Sequence, residues 1–247
     1  MKRYTKQITP HVAGILRDTV PIGNVFPKWP VALDRAAYME LDGVLKTMGG
    51  KWDRRRDGHV FPEGTDVSAL VHQALQDGEV LDHQKSLGFF ETPGHIATML
   101  VGMAGVEPGM RVLEPSAGRG AIADAVRASQ PDCPIVTVEI DEGRHLELLD
   151  KGYDSHCEDF LPWWSPQRFH RVLANPPFPD EVHHVRHMRE LLTPNGLVAT
   201  VLSNAITFRN DSGYDELRRM ATTIFPLPEG TFRESGTMVN TVIAVFE

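Results

Sequence analysis

The residues best suited to chemistry lie in the stretch VLANPPF at positions 172–178. Its apolar start is typical of a buried parallel strand, and the prolines must end that strand because proline fixes φ and lacks the N–H that a strand ladder needs. The side-chain carbonyl of Asn175 and the main-chain carbonyl of Pro176 would then project beyond the carboxyl end of the strand. Open α/β sheets bind their ligands at that edge. The stretch therefore predicts a stiff loop at a binding site.

This loop favours chemistry on a planar exocyclic amine. Two acceptors that converge on such a nitrogen, adenine N6 for example, could bind both of its N–H groups and bias it toward a nucleophilic geometry. The ring of Phe178 could stack on the base. The catalytic candidates are Asn175, Pro176, Pro177 and Phe178. The alternative is an ordinary proline-rich turn, in a chain that has 18 prolines.

The elements that must position this loop follow an alternating strand-helix pattern from residue 89 onward, which is typical of a doubly wound parallel sheet. The predicted fold class is α/β, with a Rossmann-like, mostly parallel sheet of seven strands and an antiparallel last strand. Strands are expected at 110–114, 135–140 and 154–158, in the run into Asn175, and at 197–202, 223–225 and 241–246. Helices are expected at 94–104, from about 120, at 181–192 and at 214–220, with a polar loop at 204–213.

The first predicted strand leads from Glu114 into the loop PSAGRG at 115–120. Its small residues let the backbone approach a ligand, and the helix that follows aims free N–H groups at it. Because an acidic residue precedes the loop, a cofactor that carries a cation fits better than a pyrophosphate. The alternative is a plain strand-to-helix turn.

Two further strand ends carry acidic residues. Glu139 is placed to accept hydrogen bonds from ribose hydroxyls, whereas Asp141 fits a helix N-cap. Asp159 could read the amino edge of an adenine while Phe160 lies on its face, or it could be a turn residue. Four strand ends would then carry ligand chemistry at one edge of the sheet.

Residues 1–88 are expected to form a separate module behind an irregular arm that runs to about Pro30 and holds at most one short helix. Asp34 is a plausible N-cap for a helix that ends at Gly49-Gly50, and a second helix runs from Asp66 to about Gly78. Between them, residues 51–61 predict a hairpin with an Asp-Gly turn.

Three arginines, Arg54, Arg55 and Arg56, lie at the tip of that hairpin, with Trp52 and His59 nearby. Guanidinium groups suit phosphate oxygens and aromatic rings suit base stacking, so the hairpin is a candidate contact with nucleic acid. The alternative is a solvated turn with an aromatic ring packed beneath it.

The composition is that of a globular protein: 247 residues, 41% hydrophobic and 23% charged. No apolar run approaches the length of a membrane span and no signal peptide is evident, so a cytoplasmic location is expected. Two cysteines far apart favour free thiols. His183 and His187 lie one helical turn apart, but without a Cys or carboxylate at ligand spacing they favour solvated side chains over a zinc site.

The net charge of −8 is unevenly distributed. Residues 1–88 carry 12 Lys and Arg against 11 Asp and Glu, whereas the rest of the chain carries 13 against 22. A polyanion would therefore be bound locally, at the relatively basic front of the chain, and not by the global field.

Together these motifs resemble the N6-adenine DNA methyltransferases that depend on S-adenosylmethionine, over roughly 89–246. The front unit, especially 49–62, resembles an N-terminal module of small phage and plasmid methylases. NPPF at 175–178 matches the catalytic motif, and FETP at 90–93 resembles the segment that holds the methionine carboxylate through Thr92. The implied cofactor-binding residues are Phe90, Glu91, Thr92, Pro93, Glu114, Pro115, Ser116, Ala117, Gly118, Gly120, Glu139, Ile140, Asp159, Phe160 and Asn175.

The resemblance implies in-line methyl transfer to a base that is flipped out of a duplex or already single-stranded, without a metal. Phe178, with Phe232 as a looser second aromatic, would hold the base, and Arg54, Arg55 and Arg56 would contact the DNA. No large C-terminal recognition domain is expected, which leaves sequence specificity and oligomeric state open. Methyl transfer to RNA or to protein glutamine, and a non-catalytic DNA-binding role, are the alternatives.

Overall fold

The computed structural model describes residues 5–29, 33–81 and 90–247. The chain divides into two compact units, 1–87 and 88–247. The predicted domain boundary at residues 88 and 89 lies outside the described residues.

The N-terminal unit contains strands β1 to β5 and helices α1 to α3. In chain order they are β1 Thr5–Gln7, α1 Pro10–Asp18, β2 Val25–Pro27, α2 Arg35–Thr47, β3 Lys51–Asp53, β4 Gly58–Val60, α3 Val67–Asp77 and β5 Glu79–Leu81. Strands β2, β4 and β3 form one antiparallel sheet in that order, and β1 pairs with β5 in another. The short helix expected in the arm is α1, but the prediction that the rest of the arm is irregular was wrong, because residues 5–29 also supply a strand to each sheet. Those strands are only three residues long, too short to show a period.

Local side-chain chemistry sets the ends of the two predicted helices of this unit. The Asp34 carboxylate accepts the N–H of Ala37 at 2.8 Å, and the Asp66 carboxylate accepts that of Ala69 at 2.9 Å. Gly78 ends α3 in the left-handed conformation at φ 70°. In the hairpin turn it is Asp57, at φ 45°, that has a positive φ, in place of the glycine that follows it.

The C-terminal unit contains six α-helices and seven strands among its described residues. The helices are α4 Gly94–Ala104, α5 Ala121–Ser129, α6 Glu142–Asp150, α7 Glu181–Glu190, α8 Ala205–Phe208 and α9 Ser212–Met220. The strands are β6 Val112–Pro115, β7 Ile135–Glu139, β8 Asp154–Cys157, β9 Phe169–Ala174, β10 Leu192–Ser203, β11 Ala221–Pro226 and β12 Thr241–Phe246. A single 3-10 turn covers Phe178–Asp180.

These seven strands form one sheet in the order β11-β12-β10-β9-β6-β7-β8. Strand β12 runs antiparallel to both of its neighbours, and the other pairs are parallel. The predicted seven-stranded, mostly parallel sheet with an antiparallel last strand is confirmed. The chain builds outward from β6 to β8 and then returns to β9 on the other side of β6. The topological switch point therefore lies between β6 and β9, where such sheets bind ligands.

The central strands of the sheet are buried on both faces, because their successive side chains enter opposite cores. In β9, Leu173 lies in one core with Ile96 of α4, whereas Val172 lies in the other with Val185 of α7. All six residues of β12 are buried. Central strands that must be apolar on both faces read as continuous hydrophobic runs, which is why they could be placed from the sequence.

Several element boundaries differ from the prediction. Strand β10 begins at Leu192 and not at 197, although its pairing with β9 shifts register between Leu192 and Leu197. The expected polar loop at 204–213 includes the short helix α8. Cys133 and Cys157 are free. Among the described residues no helix is both long and apolar enough to cross a membrane.

Candidate active site at the switch point of the sheet

Asn175 follows the last residue of β9, beside the loop that leaves β6. Its side-chain nitrogen Nδ2 donates to the main-chain carbonyl of Phe90 at 2.9 Å and to Thr92 Oγ1 at 3.1 Å. A carbonyl oxygen can only accept, so the amide must turn its nitrogen toward the segment 90–92. Both donors are then used, and the remaining polar atom of the side chain, Oδ1, is an acceptor.

Thr92 contacts the Asn175 amide and also lines the cleft. Its side chain is 8% exposed, and its oxygen accepts a hydrogen bond from Asn175. A hydroxyl that accepts in this way still has its own hydrogen to donate. Pro93 follows as the N-cap of α4, and its carbonyl accepts the N–H groups of Ile96 and Ala97.

The prolines and aromatic rings of the two segments hold the loop against its neighbours. Pro176 is buried and Pro177 is half-buried as the N-cap of the 3-10 turn. The rings of Phe90 and Phe178 stack with centroids 6.1 Å apart and planes 23° apart. Phe178 is only half-buried. Its ring therefore stabilises the loop by packing against Phe90, while part of the same ring stays accessible.

The loop after β6 curls through three left-handed residues. Ser116, Gly118 and Gly120 have φ of 53°, 58° and 78°, so a non-glycine residue is held in a region that most side chains avoid. A Cβ on Gly120 would lie 2.6 Å from Leu148 Cδ2, which explains the need for glycine there. The loop is buried at Ala117 and leads directly into α5.

Glu139, at the end of β7, fastens this loop to the neighbouring strand. One carboxylate oxygen accepts the N–H of Gly118 at 2.6 Å and the other accepts that of Asp141 at 3.0 Å. Arg144 Nε lies 3.2 Å from the same carboxylate. The side chain is 3% exposed. Asp141 caps α6 through the N–H of Arg144, as expected for an N-cap.

Glu114, in β6, is a buried carboxyl at 3% exposure. Burial raises its pKa to about 8, although the backbone N–H groups of Ala123, at 2.7 Å, and Ile122, at 3.3 Å, oppose that shift. The carboxylates of Asp124 and Glu139 add to the increase. A cation brought to this carboxyl would favour its ionised form.

Several of the predicted site residues meet in one cleft beside β6 and β9. It is lined by Phe90, Glu91, Thr92, Glu114, Ser116, Ala117, Arg119, Ala121 and Asn175. Two of these, Arg119 and Ala121, were missed as site residues. Arg119 pairs with Glu147 at 2.9 Å and so belongs to the wall of the cleft. Glu91 is exposed, and its carbonyl accepts the hydroxyl of Ser235 at 2.7 Å.

Other predicted site residues lie at the same edge of the sheet but outside this lining. Ile140 is 47% exposed directly after β7, and Pro115 is buried in β6. Asp159 is exposed, and one of its oxygens accepts the N–H of Leu161 at 3.0 Å, as in a turn. Its other oxygen can still accept a donor.

Two predicted stacking rings are placed in the core. Phe160 is 3% exposed and packs against Trp163 and His187, so it offers no open face to a ligand. Phe232 is 1% exposed and belongs to the same core cluster as Ile96. Aromatic spacing alone cannot distinguish a ring that packs from a ring that binds.

The arginines of the N-terminal hairpin are exposed, as the sequence predicted. The backbone N–H groups of Arg55 and Arg56 bind the Asp53 carboxylate at 2.7 and 3.1 Å, which fixes the turn. All three guanidinium-bearing residues, Arg54 included, lie on the surface of that unit.

A buried carboxylate behind the loop at Asn175 was not anticipated. Glu181, the first residue of α7, is 1% exposed. It accepts the N–H of Ser203 at 2.8 Å, the Ser203 hydroxyl at 2.5 Å and the Tyr214 hydroxyl at 2.7 Å. These bonds attach the helix that follows NPPF to the end of β10 and to α9. In the sequence Glu181 is only an acid in a first helical turn, where charge alone explains it.

Among the described residues no group of three or more His, Cys, Asp or Glu side chains is arranged to hold a metal ion. His187, one of the pair considered for zinc, has Nε2 2.7 Å from the Trp163 carbonyl.

The chain is similar in sequence to two type II methyltransferases. It is 37% identical over 95 residues to one from Thermus thermophilus, a match that covers 38% of this chain and 22% of the relative. It is 30% identical over 115 residues to M.CvrRI of Paramecium bursaria Chlorella virus XZ-6E, covering 46% of this chain and 29% of the relative. These matches confirm the resemblance to methyltransferases. The chain spans less than a third of either relative.

Among solved structures, the fold resembles the methyltransferase subunit of a type I restriction-modification system from Streptococcus thermophilus. The TM-score is 0.56 at 19% identity, and the match covers 64% of this chain and 44% of that subunit. This likeness confirms the fold. No protein-family model matches the chain.

The Glu181 contacts predict a stability difference between two substitutions. Glu181→Ala leaves Ser203 and Tyr214 with buried, unpaired groups and should lower the free energy of unfolding by about 2–5 kcal/mol. Glu181→Gln should lower the free energy of unfolding by less. The glutamine carbonyl can accept the Ser203 N–H, and the Ser203 and Tyr214 hydroxyls can turn to accept from the glutamine NH₂ group. Urea denaturation followed by circular dichroism measures both. Equal losses for the two variants would contradict this account.

Proposed function

We propose that the chain transfers the methyl group of S-adenosylmethionine to N6 of adenine in DNA. The observation that carries the proposal is the orientation of the Asn175 amide, whose donors are used by Phe90 and Thr92 and whose oxygen is left to accept. Similarity to two type II methyltransferases supports the reaction class.

The residues of the cleft fit a cofactor that is both a cationic amino acid and a nucleoside. Glu114 is a buried carboxyl that an ammonium group would stabilise in its ionised form. Thr92 has a hydroxyl hydrogen to donate to a carboxylate, and the loop 115–120 lets its backbone approach a ligand closely. Ile140 is an exposed apolar surface at the end of β7, next to Glu139.

When bound, S-adenosylmethionine supplies a methyl group activated by its sulfonium. The chain then has to present the acceptor nitrogen in line with that group. Asn175 Oδ1 and the Pro176 carbonyl would accept the two N–H groups of the adenine amine, which reduces delocalisation of its lone pair into the ring. Phe178 would stack on the base, and the prolines keep both acceptors in place without reorganisation.

The target base must leave its stack to reach this loop, so the substrate is a flipped-out or single-stranded adenine. Arg54, Arg55 and Arg56 are exposed cations suited to the DNA backbone, which supports nucleic-acid contact by the N-terminal unit as part of this proposal. The arginines would mainly contact phosphate groups. Because phosphate contacts carry no sequence information, low sequence specificity is expected.

Asn175→Ala should lower the rate of methyl transfer at least about a hundredfold, because it removes one of the two acceptors that orient the amine. The assay uses tritiated S-adenosylmethionine with adenine-containing DNA, followed by mass spectrometry of the digested nucleosides. The circular dichroism spectrum of the variant should match that of the wild-type protein, so that the lost rate is not the result of unfolding. Label on cytosine, on RNA alone or on protein would overturn the proposed substrate, and label with an active Asn175→Ala protein would overturn the mechanism.

The raised pKa of Glu114, about 8, predicts a pH-dependent cofactor affinity. Below that pH the carboxyl must lose a proton before it can pair with an ammonium group, so binding should tighten as pH rises from about 6 to 7.5, by at most tenfold per unit. Titration calorimetry in buffers of different ionisation enthalpy also measures the released proton. Glu114→Gln is the control, and an equal slope in that variant would contradict the assignment.

A further inference from the structure

A cavity in the N-terminal unit lies between α2 and the sheet β2-β4-β3. It has a volume of ≈ 240 Å³. Small-molecule sites usually measure about 300–1,000 Å³, so this cavity lies just below that range and suits a single planar ring system better than a larger ligand. The residues that decide its chemistry are Lys28, Trp29, Tyr38, Asp42, Trp52 and His59.

The walls are aromatic and partly open. Trp52 of β3 and His59 of β4 are cross-strand partners whose rings meet edge to face, with centroids 5.2 Å apart. Trp52 is 36% exposed and Tyr38 of α2 is 44% exposed, so both rings present apolar surface to water at the cavity. Stacking on a planar heteroaromatic ligand would remove this apolar surface from water.

One wall carries a carboxylate that is already held in place. Asp42 Oδ2 lies 2.8 Å from Lys46 Nζ, and its Oδ1 lies 3.0 Å from His59 Nε2. Burial raises the pKa of Asp42, but the hydrogen bonds from Lys46 and His59 outweigh it and hold the pKa below its usual range. Each carboxylate oxygen can accept a further N–H, so this wall suits a ring that carries an amino group.

Cations lie at the edge of the cavity and along the same hairpin. Lys28 lines the cavity and reaches Asp57 of the hairpin turn at 3.9 Å. The turn between Trp52 and His59 carries Arg54, Arg55 and Arg56, all exposed. Aromatic surface beside guanidinium and ammonium groups is the combination by which proteins hold single-stranded nucleic acid.

We propose that this cavity binds one unstacked nucleobase with an exocyclic amine from a single strand of DNA, while Lys28 and the hairpin arginines hold the flanking phosphates. The inference rests on the proposed function for its choice of DNA. It describes a second base site, made by the N-terminal unit alone and separate from the one at Asn175.

The test measures binding of fluorescent single-stranded 12-mers to the full chain by anisotropy, without cofactor and in the Asn175→Ala background, so that no methyl transfer is needed. Tyr38→Ala should weaken binding of oligo(dA) and oligo(dC) about tenfold. The matched control is Met39→Ala, the adjacent residue of α2, which is 60% exposed and does not line the cavity. Oligo(dT), which lacks an exocyclic amine, should bind more weakly, and Asp42→Asn should reduce that preference.

Replacing Arg54, Arg55 and Arg56 with Ala should weaken all three oligomers alike and flatten the salt dependence. If Tyr38→Ala, Met39→Ala and the parent protein bind the oligomers with equal affinity, the base site is overturned. If chains that keep Asn175 still transfer methyl groups to DNA, the proposed function stands. Tighter binding of RNA than of DNA by the cavity would overturn the choice of DNA. Loss of methyl transfer to every DNA, with oligomer binding through the cavity intact, would overturn the proposed function alone.

Discussion

The side-chain amide of Asn175 is the constraint on which the rest of the site depends. An amide can face either way, and only its fixed neighbours decide which atom points into the cleft. Here a backbone carbonyl, that of Phe90, is one of those neighbours, and it can accept but never donate. The second bond, to Thr92, ties the same amide to a hydroxyl that lines the cleft. These two hydrogen bonds thus leave the Asn175 oxygen, and not its nitrogen, as the free polar atom of the side chain.

The sheet makes these contacts possible by bringing distant segments to one edge. Strands β6 and β9 pair in parallel, with Val112 beside Arg171 and Leu113 beside Val172, so their loops leave the sheet side by side. Glu139 holds the loop of β6 through the N–H of Gly118, and Glu181 holds the helix that follows β9. Buried carboxylates therefore brace both loops from behind.

Elements with a clear apolar period, and loops that follow the ends of buried strands, can be predicted from the sequence. The central strands, the helix caps at Asp34 and Asp66 and the loop at Asn175 follow from local patterns, and so does the sheet that joins them. The burial of Phe160 and Phe232 cannot be predicted in this way, because the sequence around an aromatic residue does not show whether its ring packs in a core or lines a binding site. Nor can the Glu181 network, whose partners Ser203 and Tyr214 lie far along the chain and meet only after folding.

The most direct test of this account is the Thr92→Val protein, with Thr92→Ser as the control that restores a hydroxyl. If Thr92 both orients Asn175 and contacts the cofactor, Thr92→Val should lower the methyl-transfer rate at saturating S-adenosylmethionine, by about tenfold or more, as well as weaken cofactor binding. Thr92→Ser should recover most of both. A Thr92→Val protein with a normal rate at saturation, and only a weaker affinity for the cofactor, would contradict the role given to the hydrogen bond between Asn175 and Thr92.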